Sequence, residues 1–136
     1  MPLFYLDASA LVKLVRAEPE TAALNAFLDE ADDVTSEIAL TEVARTIRRV
    51  AGVPAVDLDL HMEHASEVFE SVGLLAVERD LLLAAGAIPE PGLRSLDAIH
   101  LASAIGIPLL DAFVSYDERQ AAAARISGLR TLAPRG

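Results

Sequence analysis

The run PLFYLD at residues 2–7 constrains the fold most. It is short, apolar and aromatic, and is bounded by Pro2 and Asp7. Such a run reads as a buried strand. The pattern recurs as short apolar runs around Val34 to Ser36, Gly73 to Val77 and Ala112 to Ser115, with Thr131 and Leu132 as a last edge strand. Helix-spaced segments lie between them. The first carries Leu11, Leu14 and Val15, with Ser9 near its start as a capping hydroxyl, and the second carries Leu24, Phe27 and Leu28. A third runs from about Ile38 to Ala51 and stops at Gly52 and Pro54, while Asp57 to Glu70 puts Leu58, Met62, Ala65 and Phe69 on one face. Glu78 to Ala87, Ser95 to Ile105 and Asp117 to Ile126 complete the set, and IPEPGLR at 88–94 is the clearest loop. Short apolar strands alternating with helices predict a three-layer α/β/α domain with a central, mainly parallel sheet. At 136 residues the expectation is one domain spanning 1–136.

Composition narrows the function. Apolar residues make up 53% of the chain, which argues against disorder and leaves apolar surface for a partner. With no cysteine, disulfides and thiolate zinc sites are excluded. No apolar run is long enough to span a membrane. The N-terminal stretch lacks a basic start and carries Asp7, unlike a signal peptide. The expectation is a cytoplasmic protein. The formal net charge of −10 does not suit a passive phosphate binder. A nucleic-acid partner would need a metal or a local basic patch to offset the repulsion.

Four acids stand out by position. Asp7 ends the first strand, Glu42 lies early in the third helix, Asp97 opens LDAIHLASA, and Asp117 precedes the last helix. Each alone has an ordinary reading as a cap, a dipole partner or a solvated flank; Glu42, for instance, can pair with Arg45. Asp97 is the sharpest case, because an unpaired carboxylate among Leu96, Ile99 and Leu101 is costly. Helix starts that follow strands face one edge of a parallel sheet, where open α/β sheets bind ligands. Four carboxylates gathered there repel one another unless a divalent cation joins them. Oxygen donors favour Mg²⁺ or Mn²⁺.

LDASALVKL at 6–14, the acid in LTEVAR at 40–45, LRSLDAIHLASA at 93–104 and FVSYDERQ at 113–120 resemble the four signature stretches of the PIN domain. More narrowly they resemble the VapC toxins of bacterial VapBC toxin–antitoxin pairs. The likeness runs from about Tyr5 to Gln120 in matching order and spacing. It implies a metal-dependent ribonuclease whose acidic quartet falls on Asp7, Glu42, Asp97 and Asp117. Asp117 occupies the position most variable in that family. The hydroxyl positions fall on Ser9 and Ser115, which would support carboxylates or waters. Asp7, Asp97 and Asp117 would hold Mg²⁺ or Mn²⁺, with Glu42 holding a second ion or orienting water. The resemblance further implies a VapB-like antitoxin, an RNA substrate and a homodimer.

Local cations could guide RNA to an acidic protein. Lys13 lies one turn after Ser9; Arg45 and Arg49 follow Glu42 on its side of the helix. Surface pairing with nearby acids is the plainer reading, favoured for Arg49. His61 and His64 lack an evident third metal ligand. His100, one turn past Asp97, is either a packed core histidine or a group that orients that acid. Apolar faces at Glu20 to Glu30 and Asp57 to Glu70 are candidates for partner binding.

Two rival readings differ in class. A haloacid-dehalogenase-like phosphatase would use Asp7 as nucleophile, but it wants an acid at position 9 and a late lysine. Position 9 is serine, and Lys13 is the only lysine. A non-catalytic PIN-like binding module would show lost acids, and all four are present.

Overall fold

The computed structural model describes residues 1–49 and 54–136, with the side chains of Ala55 and Val56 left aside. Its elements are β1 (Leu3–Leu6), α1 (Ala8–Val15), α2 (Thr21–Leu28), β2 (Asp32–Ser36), α3 (Ala39–Arg48), α4 (Ala55–Ser71), β3 (Gly73–Leu75), α5 (Arg79–Gly86), α6 (Ser95–Ile105), β4 (Ala112–Val114), α7 (Glu118–Ile126) and β5 (Thr131–Leu132). The expected end of the third helix, at Val50 and Ala51 with a stop at Gly52, lies outside the described residues.

The five strands form one sheet in the order β3-β2-β1-β4-β5, and every pair is parallel. β1 is central because both its faces and both its edges are covered. Its side chains alternate, as a pleated strand requires. Phe4 and Leu6 point into a core built with α1, α2, α3 and α4, through residues such as Leu11, Leu24, Val43, Ile47 and Ala65. Tyr5 points the other way, into a core with Leu101 and Ala104 of α6, Phe113 of β4, and Ala123 and Ala124 of α7. Tyr5 stacks on Phe113 with centroids 5.4 Å apart and planes inclined by 7°. Helices therefore cover both faces, as the alternation of elements predicts. Gly128, at φ +91°, makes the left-handed turn that ends α7 and leads into β5. Among the described residues no helix is long and apolar enough to cross a membrane.

Several sequence expectations move. The third strand stops at Leu75 rather than Val77. Leu96, expected to pack its helix, is 47% exposed. Residues of the helix faces proposed for a partner pack against the first core. Leu24 and Leu28 are buried, and Leu58, Met62, Ala65 and Phe69 pack on the same core. Leu58, Met62 and Phe69 are only partly buried there, and Met62, Ala65 and Phe69 line a hollow with Leu40 and Ala44. Exposed leucines include Leu60 of α4 and Leu82 and Leu83 of α5.

The second core depends on Phe113 as its central aromatic. Phe113→Ala is expected to destabilise by about 3–5 kcal/mol, read from urea unfolding. Ile126→Ser, on the exposed end of α7, should stay within about 0.5 kcal/mol.

Candidate active site

The strand order reverses between β1 and β4: β2 and β3 lie to one side of β1, and β4 and β5 to the other. Ligands bind at such a switch point, outside the carboxyl ends of the strands. Asp7 follows β1 there, and Ser115 to Asp117 follow β4. The first turns of α3 and α6 bring Glu42 and Asp97 to the same place. All four acids line one open cavity of about 410 Å³, together with Ser9, Lys13, His100 and Tyr116.

Asp7 is buried, with only 3% of its surface exposed. Its Oδ1 accepts from Ser9 Oγ at 2.6 Å and from the amide of Ala10 at 3.1 Å. Its Oδ2 accepts from Ser115 Oγ at 2.5 Å. Burial pushes the carboxyl pKa up, against the pull of the Ser115, Ser9 and Ala10 bonds. Asp7, rather than Ser9, is thus the N-cap of α1. Ser9 instead links Asp7 to the amide of Tyr116, which donates to its oxygen at 2.9 Å. Ser115 Oγ accepts from the amide of Asp117 at 3.1 Å. The two hydroxyls therefore join β1, α1 and the end of β4 around one carboxylate.

Asp117 caps α7, its Oδ1 accepting from the amides of Arg119 and Gln120 at 2.9 and 3.2 Å. Asp97 is half-buried in the first turn of α6. Desolvation raises its pKa first, and the charges of Asp117 and Glu42 raise it further. Burial is the larger cause, and the neighbouring carboxylates add to it. The buried Gln120 ties the two helix starts, its Nε2 donating to the carbonyl of Asp97 at 3.0 Å.

Glu42 is not paired with Arg45. Its Oε1 lies 2.5 Å from Nε2 of His100, a side chain 1% exposed. His100 therefore holds Glu42 rather than Asp97. The 58 positions between them hid this pair from a reading of local spacing.

Lys13 faces the cavity, but its Nζ is shared between Glu18 at 3.1 Å and Glu20 at 2.7 Å, 4.8 Å from the centroid of the Tyr116 ring. Arg45 and Arg49 line an adjoining hollow with Ile38, Thr41, Glu42, Thr46 and Leu96. Another hollow borders Asp97 and Asp117 and is lined by Arg94 and Arg119. Sequence reasoning passed over these last two arginines, although each sits within the stretch that carries its acid. His61 and His64 lie on α4, away from this cavity, and His64 Nδ1 is 3.2 Å from the carbonyl of Val15.

The donor chemistry suits a hard divalent cation, since the acids supply oxygen and Lys13 is engaged elsewhere. Among the described residues no three acids or histidines form a ready-made ion cage. Both Asp7 oxygens are already engaged by hydroxyls and an amide. A cation that keeps several of its own waters and takes few carboxylates, as Mg²⁺ does, matches such a pocket.

The sequence matches the PIN domain family over residues 4–126. It is 38% identical to Ribonuclease VapC35 of Mycobacterium tuberculosis over 140 residues, covering 97% of each chain. It is 36% identical to Ribonuclease VapC47 of the same organism over 138 residues, again covering 97% of each. The fold resembles the crystal structure of VapBC2 from Rickettsia felis bound to a DNA fragment from their promoter, with a TM-score of 0.70 at 12% identity, covering 97% of this chain and 98% of that one. It also resembles PAE2754 from Pyrobaculum aerophilum, with a TM-score of 0.66 at 20% identity, covering 96% and 83%.

The raised pKa of Asp97 sets a sign for stability. The fold disfavours its ionised form, so ionised Asp97 subtracts from stability at neutral pH. That cost is relieved as pH falls through the raised value toward the ordinary 3.8. Asp97→Asn is expected to raise the urea midpoint at pH 7. The gain should shrink as the medium is acidified, and a gain independent of pH would contradict the account of a half-buried carboxylate beside like charges.

Proposed function

The chain belongs to the PIN-domain family, within its VapC group, and from that membership we propose that it is a metal-dependent endoribonuclease. We read it as the toxin of a type II toxin–antitoxin pair. The observation that carries the reading is the meeting of Asp7, Glu42, Asp97 and Asp117 in one cavity at the switch point of the sheet. The names of its relatives, 36–38% identical over nearly their whole length, support RNA as the substrate.

In this reading Asp7, Asp97 and Asp117, with Glu42, hold Mg²⁺ or Mn²⁺. When bound, such a cation polarises a phosphate oxygen and lowers the pKa of a water. The protein supplies the rest. Ser9 and Ser115 keep Asp7 in one orientation. Glu42 orients the attacking water on its pocket side. Attack on phosphorus breaks the bond to the ribose 3′-oxygen, leaving a 3′-hydroxyl and a 5′-phosphate. Arg45 meets a flanking phosphate, and the chain's overall negative charge is offset only locally. A VapB-like antitoxin and a second copy of the chain are the partners this reading carries.

Incubation with RNA should give discrete cuts in Mg²⁺ or Mn²⁺ and none in EDTA. Asp97→Asn should lower kcat by more than the roughly 10–100-fold typical of residues that only support a ligand. Cutting that survives both EDTA and the substitution would sink the proposal.

RNA affinity gives a second check. With cleavage blocked by EDTA, binding of a single-stranded oligonucleotide is measured across a salt series. Arg45→Ala should lower the log–log slope by about 0.7, the value for one phosphate neutralised on a single strand. Lys13→Ala should leave the slope unchanged, because that charge is spent on Glu18 and Glu20.

A further inference from the structure

Behind the acids runs a buried chain of hydrogen bonds that the proposed cleavage step does not use. Tyr5 of β1 and His100 of α6 are 0% and 1% exposed. Tyr5 Oη lies 2.7 Å from His100 Nδ1, and His100 Nε2 lies 2.5 Å from Glu42 Oε1. The Tyr5 ring is fixed by its stacking on Phe113 and meets the His100 ring edge-on at 5.8 Å. Core packing thus sets where the hydroxyl points.

A carboxylate can only accept, so the proton between His100 and Glu42 belongs to Nε2. In a neutral ring Nδ1 is then the acceptor, and the tautomer is set by its partner. The Tyr5 hydroxyl carries an O–H that can donate to that acceptor at 2.7 Å. Glu42 lies on α3, and its side chain has several rotatable bonds. Without a partner it would sample many positions at the pocket wall.

We propose that His100 is a positioning residue for Glu42: the Tyr5 hydroxyl locks the Nε2–H tautomer, and Nε2–H holds one carboxylate oxygen, leaving the other for the pocket. The consequence for catalysis rests on the reading of this pocket as an RNA-cleaving site. Glu42 then acts through a single oxygen, and its aim is set by a core tyrosine that never touches substrate. A histidine that merely filled the core would predict lost stability without a specific loss of turnover.

Two measurements on the full chain test this. Long-range ¹H–¹⁵N correlation spectra of the histidine rings read the tautomer directly. The expected His100 signal has a bare Nδ1 and a protonated Nε2. Its Nε2 resonance should move in Glu42→Gln and its Nδ1 resonance in Tyr5→Phe. Cleavage kinetics come second. His100→Leu should lower kcat about 10–100-fold with KM for RNA unchanged. His100→Gln returns an N–H donor near the Nε2 position and should recover much of the loss. Tyr5→Phe, which removes one hydroxyl and little volume, should give a smaller drop in kcat.

A ring protonated on Nδ1, or a folded His100→Leu with full kcat, overturns the proposal. If the unmodified chain cuts no RNA, the ribonuclease reading fails. The spectra then decide by themselves whether His100 holds Glu42.

Discussion

The carboxylate of Asp7 is where the fold and the site become one problem. It sits at the junction of the central strand with the first helix, almost wholly out of water. A buried carboxylate is costly unless hydrogen bonds replace its hydration. Here the replacements come from three places: Ser9 and Ala10 on α1, and Ser115 after β4. Satisfying Asp7 therefore pins α1 and the end of β4 to β1. Ser115 passes the constraint on to the amide of Asp117, and Asp117 caps α7. The other side chains at the mouth are arranged around a frame that one buried acid sets.

Charge is managed locally within an acidic chain. The one lysine, which faces the cavity, is engaged by Glu18 and Glu20 and rests near Tyr116. It does not neutralise the acids beside it. Asp97 stays near Asp117 and Glu42, and burial together with their charges raises its pKa. A pocket kept short of positive charge suits a divalent cation. The arginines lie in the flanking hollows, beside Glu42 in one and beside Asp97 and Asp117 in the other.

The two cores contribute unequally to the site. The side built on α1 to α4 is apolar, with Phe4, Phe27, Phe69 and Tyr116 as aromatics among aliphatic side chains. The side built on α6 and α7 contains a polar thread, from Tyr5 through His100 to Glu42. The three groups of this thread are tolerable at that depth because each has a partner in it. The alternation of β1 makes this possible: Tyr5 faces α6 while its neighbours Phe4 and Leu6 face the other layer.

Much of the architecture was legible in the residues themselves. Apolar runs bounded by Pro, Gly and Asp mark the strands, and periodicity marks the helices, because burial on both faces demands both patterns. Asp7, Glu42 and Asp117 stand where a strand passes to a helix, which sets them at one edge of the sheet, while Asp97 opens a helix that follows another helix and reaches that edge through the fold. The partner of Glu42 was not legible: His100 is far along the chain, and only the folding of α3 and α6 onto the same sheet brings the two side chains together. Nor could the sequence decide which apolar faces would be spent on the core. The faces of α2 and α4 look alike on a helical wheel, but the core buries Leu24 and Leu28 and covers Leu58, Met62 and Phe69 only in part. The amino-acid order by itself determined the alternating elements and the edge on which Asp7, Glu42 and Asp117 gather, because those follow from local pattern and chain direction. Tertiary structure alone decided what each acid touches, because hydrogen-bond partners are set by distances in space between residues the chain keeps far apart.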